Sequence, residues 1–268
     1  MDNIKKLQET ELEILREFDA ICRKNNISYI VEGGTLLGAV RHNGFIPWDD
    51  DIDVKMLRSE YERFCEVCEK SLDKRRYFLQ TYKSDKNYLW GYARILRQGT
   101  LFMRKDQEHL KMKRGIFIDI FPVDGMPSQP LAKMIYNFTA FLCRKVLYAR
   151  VGVKNEKKIF YKFLYFILNF VPKSAAHKGF EILSKIYIHK KTDLLRCLSW
   201  NDKAESSGYR REWFENTMDI KFENLSVKAP KDTQGFLTYV FGADYMTLPP
   251  VEERIPRHTA TQIRFSEN

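Results

Sequence analysis

With 268 residues, this chain can bury one substantial core and an appended subdomain. Its five cysteines follow no framework spacing, which excludes a disulfide-stapled scaffold and points to reduced thiols. The N-terminus is charged rather than apolar, so no secretory leader and a cytoplasmic setting are expected, and the formal charge of +10 is unevenly placed.

Residues 3–24 carry Leu7, Ile14, Leu15, Phe18, Ile21 and Cys22 at helical spacing, which predicts an amphipathic helix ended by Asn25-Asn26. A strand over 27–32 then runs into Gly33-Gly34, and Thr35 opens a short helical segment, 36–41. A strand, a diglycine and a helix start let phosphate oxygens approach backbone N–H groups. Alone, a Gly-Gly pair is usually only a turn.

Trp48-Asp49-Asp50-Asp51-Ile52-Asp53 follows, with four carboxylates in five positions. Like charges that close repel, so a cation is expected among them. One reading is a solvated acidic turn. A calcium loop is a second, since Asp49, Asp51, Asp53 and Glu60 match its spacing, but Val54 stands where that loop needs glycine. The third, favoured here, is a strand over 51–56 whose alternation puts Asp51 and Asp53 on one face to hold Mg²⁺ beside a phosphate.

Residues 59–72 predict a second helix, with Tyr61, Phe64, Cys65, Cys68 and Leu72 facing the core. Cys65 and Cys68 form a lone C-x-x-C without a second pair, so they read as packing residues. Strands are expected over 77–82, 92–97, 100–104 and 115–121. The last is a dense apolar run around Asp119, where an ionised carboxylate needs a buried arginine or a metal. A carboxylate triad from two neighbouring strands is the favoured arrangement, able to hold two metals and accept a proton.

Helices should dominate 130–200. Between Lys133 and Lys191 there are thirteen Lys/Arg against two acids, a net of +11, so the rest of the chain is −1. The apolar run 159–171 spans 13 residues and includes Lys162. A bilayer-crossing helix needs about 20, so this region suits the plane of an anionic membrane surface, or else packs on the core with solvated lysines outside. Beyond it, Phe222-Glu223 should be extended and 231–241 helical. The expected class is α+β: a mixed sheet with flanking helices, divided into a catalytic core (1–127), a basic helical subdomain (128–215) and a segment returning to the cleft (216–268).

The diglycine, the Asp-hydrophobic-Asp strand and the later Asp resemble the polymerase-β-like nucleotidyltransferase superfamily. The fuller string from Gly33-Gly34-Thr35-Leu36-Leu37-Gly38 through Arg41-His42-Asn43-Gly44-Phe45-Ile46-Pro47-Trp48 into the aspartates resembles the LicD family. So do the 115–124 segment and the 239–250 segment with the following Arg254 and His258, while Arg94 and Thr100 match a weaker pattern in which Lys is common at the first. The likeness covers 1–125 and 222–260, and the basic middle is not diagnostic.

This resemblance implies transfer of phosphocholine, or a similar phospho-substituent, from a CDP-linked donor to a hydroxyl. The acceptor would be a cell-surface glycan, such as lipopolysaccharide or teichoic acid, or its lipid-linked precursor at the inner face of the membrane. It implies two Mg²⁺ ions, or Mn²⁺ in their place, on Asp51, Asp53 and Asp119. Gly33, Gly34 and Thr35 would contact phosphate, and Asp49 would support the metals or the donor. Arg41, His42, Arg94, Arg254 and His258 would bind substrate. The alternative is a nucleotidyltransferase acting on RNA or a small acceptor. Nucleic acid is not expected, because the aromatics of the basic region lie within apolar runs rather than in a stacking groove. A third class, a non-catalytic binding protein, fits poorly with a retained acidic cluster.

Overall fold

The structure is a computed structural model that describes residues 2–266. It opens with α1 (Asp2–Lys24), β1 (Ile30–Val31), α2 (Gly33–His42), β2 (Asp53–Leu57) and α3 (Arg58–Ser71). Then come β3 (Tyr77–Gln80), β4 (Ala93–Arg97), β5 (Leu101–Arg104) and β6 (Phe117–Met126). The helical middle is α4 (Pro130–Asn155), α5 (Ile159–Leu168) and α6 (Lys173–Ile186). It is followed by β7 (Leu194–Arg196), α7 (Lys203–Ser207), β8 (Tyr209–Arg210) and α8 (Glu212–Glu215). The chain ends with β9 (Thr217–Phe222), β10 (Leu225–Pro230), α9 (Thr233–Phe241), a 3₁₀ turn (Val251–Glu253) and β11 (Ala260–Arg264).

The fold is α+β. Its main sheet has the order β1-β2-β6-β4-β3, and β2 and β6 are parallel while the other neighbours are antiparallel. β7 extends this sheet by pairing with the end of β6, and β8 pairs with β7. Strand β6 continues past Pro122 to Met126, beyond the expected end at 121. Pro122 lacks a donor, but it falls where β4 has ended and β7 has not begun, so no ladder bond is lost on that side.

The apolar stripe of α1 (Leu7, Ile14, Leu15, Phe18, Cys22) joins Phe64 and Cys68 of α3 and Ile118 and Ile120 of β6 in the main core. Cys65 packs against that core and all five cysteines are free, as the packing reading of the C-x-x-C requires. Helices α4 and α6 share a separate cluster of Tyr136, Ala140, Leu147, Phe180 and Leu183. Residues 194–215 instead pack into the main core through Leu195, Cys197, Tyr209, Trp213 and Phe214.

Three expectations are corrected. The strand over 27–32 shrinks to Ile30–Val31, because the Ile27 N–H is taken by the Cys22 carbonyl and β2 offers a short partner. Strand β2 starts at Asp53, so Asp51 precedes the strand rather than lying in it. Glu223 is not extended: at φ +53° it turns the β9–β10 hairpin, and its carboxylate accepts the Phe45 N–H at 3.0 Å.

Candidate active site

The parallel register of β2 and β6 places Asp53 beside Asp119. Paired residues of adjacent strands point to the same face, so the two carboxylates stand side by side, about 5 Å apart at the backbone. On the other side of β6, β4 places Arg94 opposite Asp119. Arg94 Nε and Nη2 donate to Asp119 Oδ1 and Oδ2 at 2.6 and 3.2 Å, with only 3% and 4% of the two residues exposed. Burial works against the Arg94 charge, and Asp119 more than offsets it, so the guanidinium is held firmly protonated. Arg94, expected among the substrate ligands, is therefore committed to Asp119.

The loop before β2 brings the other carboxylates to the same place. Asp51 Oδ2 lies 3.3 Å from His258 Nδ1. Asp50 accepts the backbone N–H groups of Arg257 and His258, which ties the C-terminal segment to the acidic loop. Asp50, Asp51 and His258 each offer a ligand atom, all within 4.8 Å of one another. Burial raises the Asp51 pKa, partly offset by His258. Burial, then Asp51 and Asp50, push Asp49 up to about 8, and burial with Asp51 and Asp119 raises Asp53 well above the carboxylate range. A set of buried carboxylates that resists ionisation together is one that a divalent cation would relieve. The oxygen-rich donors suit Mg²⁺, and the His258 nitrogen is better tolerated by Mn²⁺.

Helix α2 begins at Gly33, two residues before the expected opening at Thr35, and its first two residues adjoin this cluster. Gly33 has φ +56°, and a Cβ there would lie 3.8 Å from Asp53 Oδ2. A Cβ on Gly34 would collide with the Asp49 carboxylate. The diglycine thus lets acidic groups sit against the positive end of a helix. Thr35 faces inward: its hydroxyl accepts the Asp53 N–H at 2.9 Å and fixes the helix to β2.

Arg41 and His42 are at the far end of α2, about 12 Å along its axis. Arg41 Nη1 donates to the carbonyls of Tyr245 and Thr247 at 3.2 and 3.3 Å, and the His42 ring meets Trp48 edge-on. The Arg254 guanidinium lies 5.5 Å from the centre of the Trp48 ring. Burial and then Arg254 lower the Arg41 pKa, and burial and then Arg41 lower that of His42. His42 and Arg254 thus meet one indole, and Arg41 Nε lies 3.1 Å from His42 Nε2, a basic patch adjoining the acidic loop through Trp48-Asp49.

Four participants escaped the sequence. Glu11 of α1 is buried, its Oε2 has no hydrogen-bond partner among the described residues, and burial followed by Asp51 raises its pKa. Its signal was a carboxylate inside an apolar stripe, between Leu7 and Ile14. Asp50 and Arg257 were visible only as neighbours of chosen residues. Lys55, two residues after Asp53, is 1% exposed and reaches Glu205 Oε1 at 2.6 Å and Glu32 Oε1 at 3.1 Å. That buried triad holds Glu32, the residue ahead of the diglycine, to β2 and to the 194–215 segment. From α1, Gln8 Nε2 donates to the Asp49 carbonyl at 2.9 Å and steadies the acidic loop.

Residues 26–140 match the family model described as the LicD/FKTN/FKRP nucleotidyltransferase domain. The chain is 34% identical over 267 residues, 92% of each chain, to a Haemophilus influenzae protein named lipopolysaccharide cholinephosphotransferase LicD. Shorter matches join it to two uncharacterized Rickettsia proteins. One, from Rickettsia typhi, is 42% identical over 20% of this chain and 18% of its own length. The other, from Rickettsia prowazekii, is 46% identical over 18% of each.

Proposed function

The chain belongs to the LicD family, and on that premise we propose that it transfers a phospho-substituent, phosphocholine or a close analogue, from a CDP-linked donor to a glycan hydroxyl. The acceptor is a cell-surface glycan or its lipid-linked precursor. The observation that carries this reading is the pairing of Asp53 with Asp119 on parallel strands, against the N-terminus of a diglycine helix.

In this reading Asp51, Asp53 and Asp119 hold the divalent cation, with Asp50 and His258 completing the donor set. A divalent cation held by these residues would supply charge neutralisation for the pyrophosphate and the leaving cytidine monophosphate. The N–H groups of Gly33 and Gly34 receive donor phosphate oxygens. Trp48, met by His42 and Arg254 with Arg41 beside His42, takes the remaining anionic or aromatic part of the donor. The glycan oxygen attacks the distal phosphorus, the bond to cytidine monophosphate breaks, and the hydroxyl proton passes to a carboxylate of the cluster. Arg94 orients Asp119 through its paired hydrogen bonds. Residues 1–127 form the nucleotidyltransferase-like catalytic core, 128–215 a basic helical subdomain whose last part rejoins the core, and 216–268 the segment that closes over the acidic loop.

The test is a panel of CDP-linked donors with Mg²⁺ or Mn²⁺ and a hydroxyl acceptor, scored by release of cytidine monophosphate. Release that requires Asp53 supports the reading. Pyrophosphate release from nucleoside triphosphates, with none of the monophosphate from any CDP donor, would replace it with nucleotidyl transfer.

A further inference from the structure

A helix that is apolar around its whole circumference belongs in a core or in lipid. Helix α5 reads Ile-Phe-Tyr-Lys-Phe-Leu-Tyr-Phe-Ile-Leu, yet Tyr165 is its sole buried residue. Ile159 is 86% exposed, Phe160 71% and Phe163 61%. Tyr165 packs on α4 through Tyr148, with ring centres 5.6 Å apart, and accepts a hydrogen bond from Lys145 at 2.9 Å. Apart from the half-buried Leu168, every other residue of α5 is exposed. The exposed surface extends onto α4, where Lys145 also covers Phe141 and Phe141 stacks on Phe138. From there Ile135, Met134 and Leu131 carry an exposed stripe to the start of that helix.

Apolar surface on this scale marks an interaction site. Two features select the partner. Lys154, Lys157, Lys158 and Lys162 are exposed around the start of α5, within a region of net charge +11. A second copy of this chain, face to face, would set +11 against +11. An anionic surface meets the same lysines favourably. The length of α5 decides the mode: ten residues span about 15 Å, half the hydrocarbon core of a bilayer. No helix among the described residues is long and apolar enough to cross a membrane. We propose that α5 and the outer stripe of α4 form an in-plane docking surface for an anionic lipid bilayer, with Phe160, Phe163 and Phe166 entering the headgroup–acyl boundary and the lysines meeting lipid phosphates.

The inference is independent of the catalytic reading, and its readout involves no turnover. The full chain is floated with phosphatidylcholine vesicles, alone or with about 30% phosphatidylglycerol, at low salt. Binding is expected to the anionic vesicles, and to fall at least about tenfold in about 0.5 M salt or in the Phe163→Glu/Phe166→Glu variant. Both side chains are exposed, so the variant should melt at the parent temperature. Absence of flotation with anionic vesicles, or undiminished flotation of the variant, overturns the proposal. So does a dimer seen by light scattering in the parent and lost in the variant, which would make the occupant a second copy.

Discussion

Replacing Arg94 by methionine tests the electrostatic logic of the site directly. The pair it forms with Asp119 is almost fully buried, and Asp53 stands beside Asp119 on the neighbouring strand. At an effective dielectric of about 20, unit charges about 4 Å apart attract by ~4 kcal/mol. Methionine fills similar volume but leaves a buried carboxylate next to a second one, and breaking such pairs costs about 3–5 kcal/mol. For a protein of this size, roughly 2–4 °C per kcal/mol translates that into a melting temperature lowered by roughly 6–20 °C.

The assay is thermal unfolding of parent and Arg94→Met with and without Mg²⁺. A cation bound by Asp119 replaces part of the missing positive charge, so the variant gains more from Mg²⁺ than the parent does. Arg94→Met/Asp119→Leu should regain most of the stability, since removing both charges leaves neither uncompensated, while staying inactive. A loss below about 1 kcal/mol, the range of solvent-exposed pairs, together with an unchanged response to Mg²⁺, refutes the reasoning.

Asp53→Asn should lower turnover by at least about a thousandfold with no loss of melting temperature, because it removes one of several mutually repelling carboxylates; cytidine monophosphate release and calorimetry check both halves. Gly34→Ala should leave the fold intact but displace the Asp49 carboxylate, reducing turnover, as the same release assay would register. Arg254→Ala should raise the KM for the donor about tenfold with a smaller effect on kcat, as expected for loss of one charge-assisted contact. His177, stacked on Tyr82 beside a cleft of about 820 Å³ between α3, β3 and α6, is held down to about 4 by burial and then Lys173. Its unfolded form binds a proton at higher pH than the folded one, so stability is complete above about 6.5 and falls by up to about 3 kcal/mol as pH drops towards 4. Urea midpoints across that range should show the slope, and His177→Phe should flatten it.

Local signals were legible in the chain and non-local ones were not. The stripe of α1 and the helix at α3 follow from periodicity, and β6 from its dense apolar run, signals that depend only on neighbours. Asp51 and Asp53 stood out because crowded carboxylates are conspicuous along a chain, and Asp119 because it interrupts an apolar run. The assignment of Arg94 to Asp119 depends on the antiparallel register of β4 with β6, which side-chain alternation alone does not fix. Glu223 was misplaced because a turn at φ +53° calls for glycine or asparagine, and the Phe45 N–H supplies the compensation from the opposite end of the sequence.

The same distinction explains why the acidic cluster was conspicuous in the chain and its neighbours were not. Six carboxylates, Glu11, Asp49, Asp50, Asp51, Asp53 and Asp119, converge from α1, the acidic loop and β6. Against them the fold sets Arg94 directly, with Arg104 of β5 near Asp119 and Asp51, and His258 and Arg257 arriving from the C-terminal segment. That imbalance exceeds what the four crowded aspartates alone suggested, because Glu11 joins them from the apolar face of α1. A site this acidic, placed at a helix N-terminus that itself attracts anions, can accept a further polyanion such as a diphosphate only after its own charge is countered. Cation binding should therefore precede donor binding, and donor affinity measured by calorimetry without a divalent metal should fall to the level of Asp53→Asn.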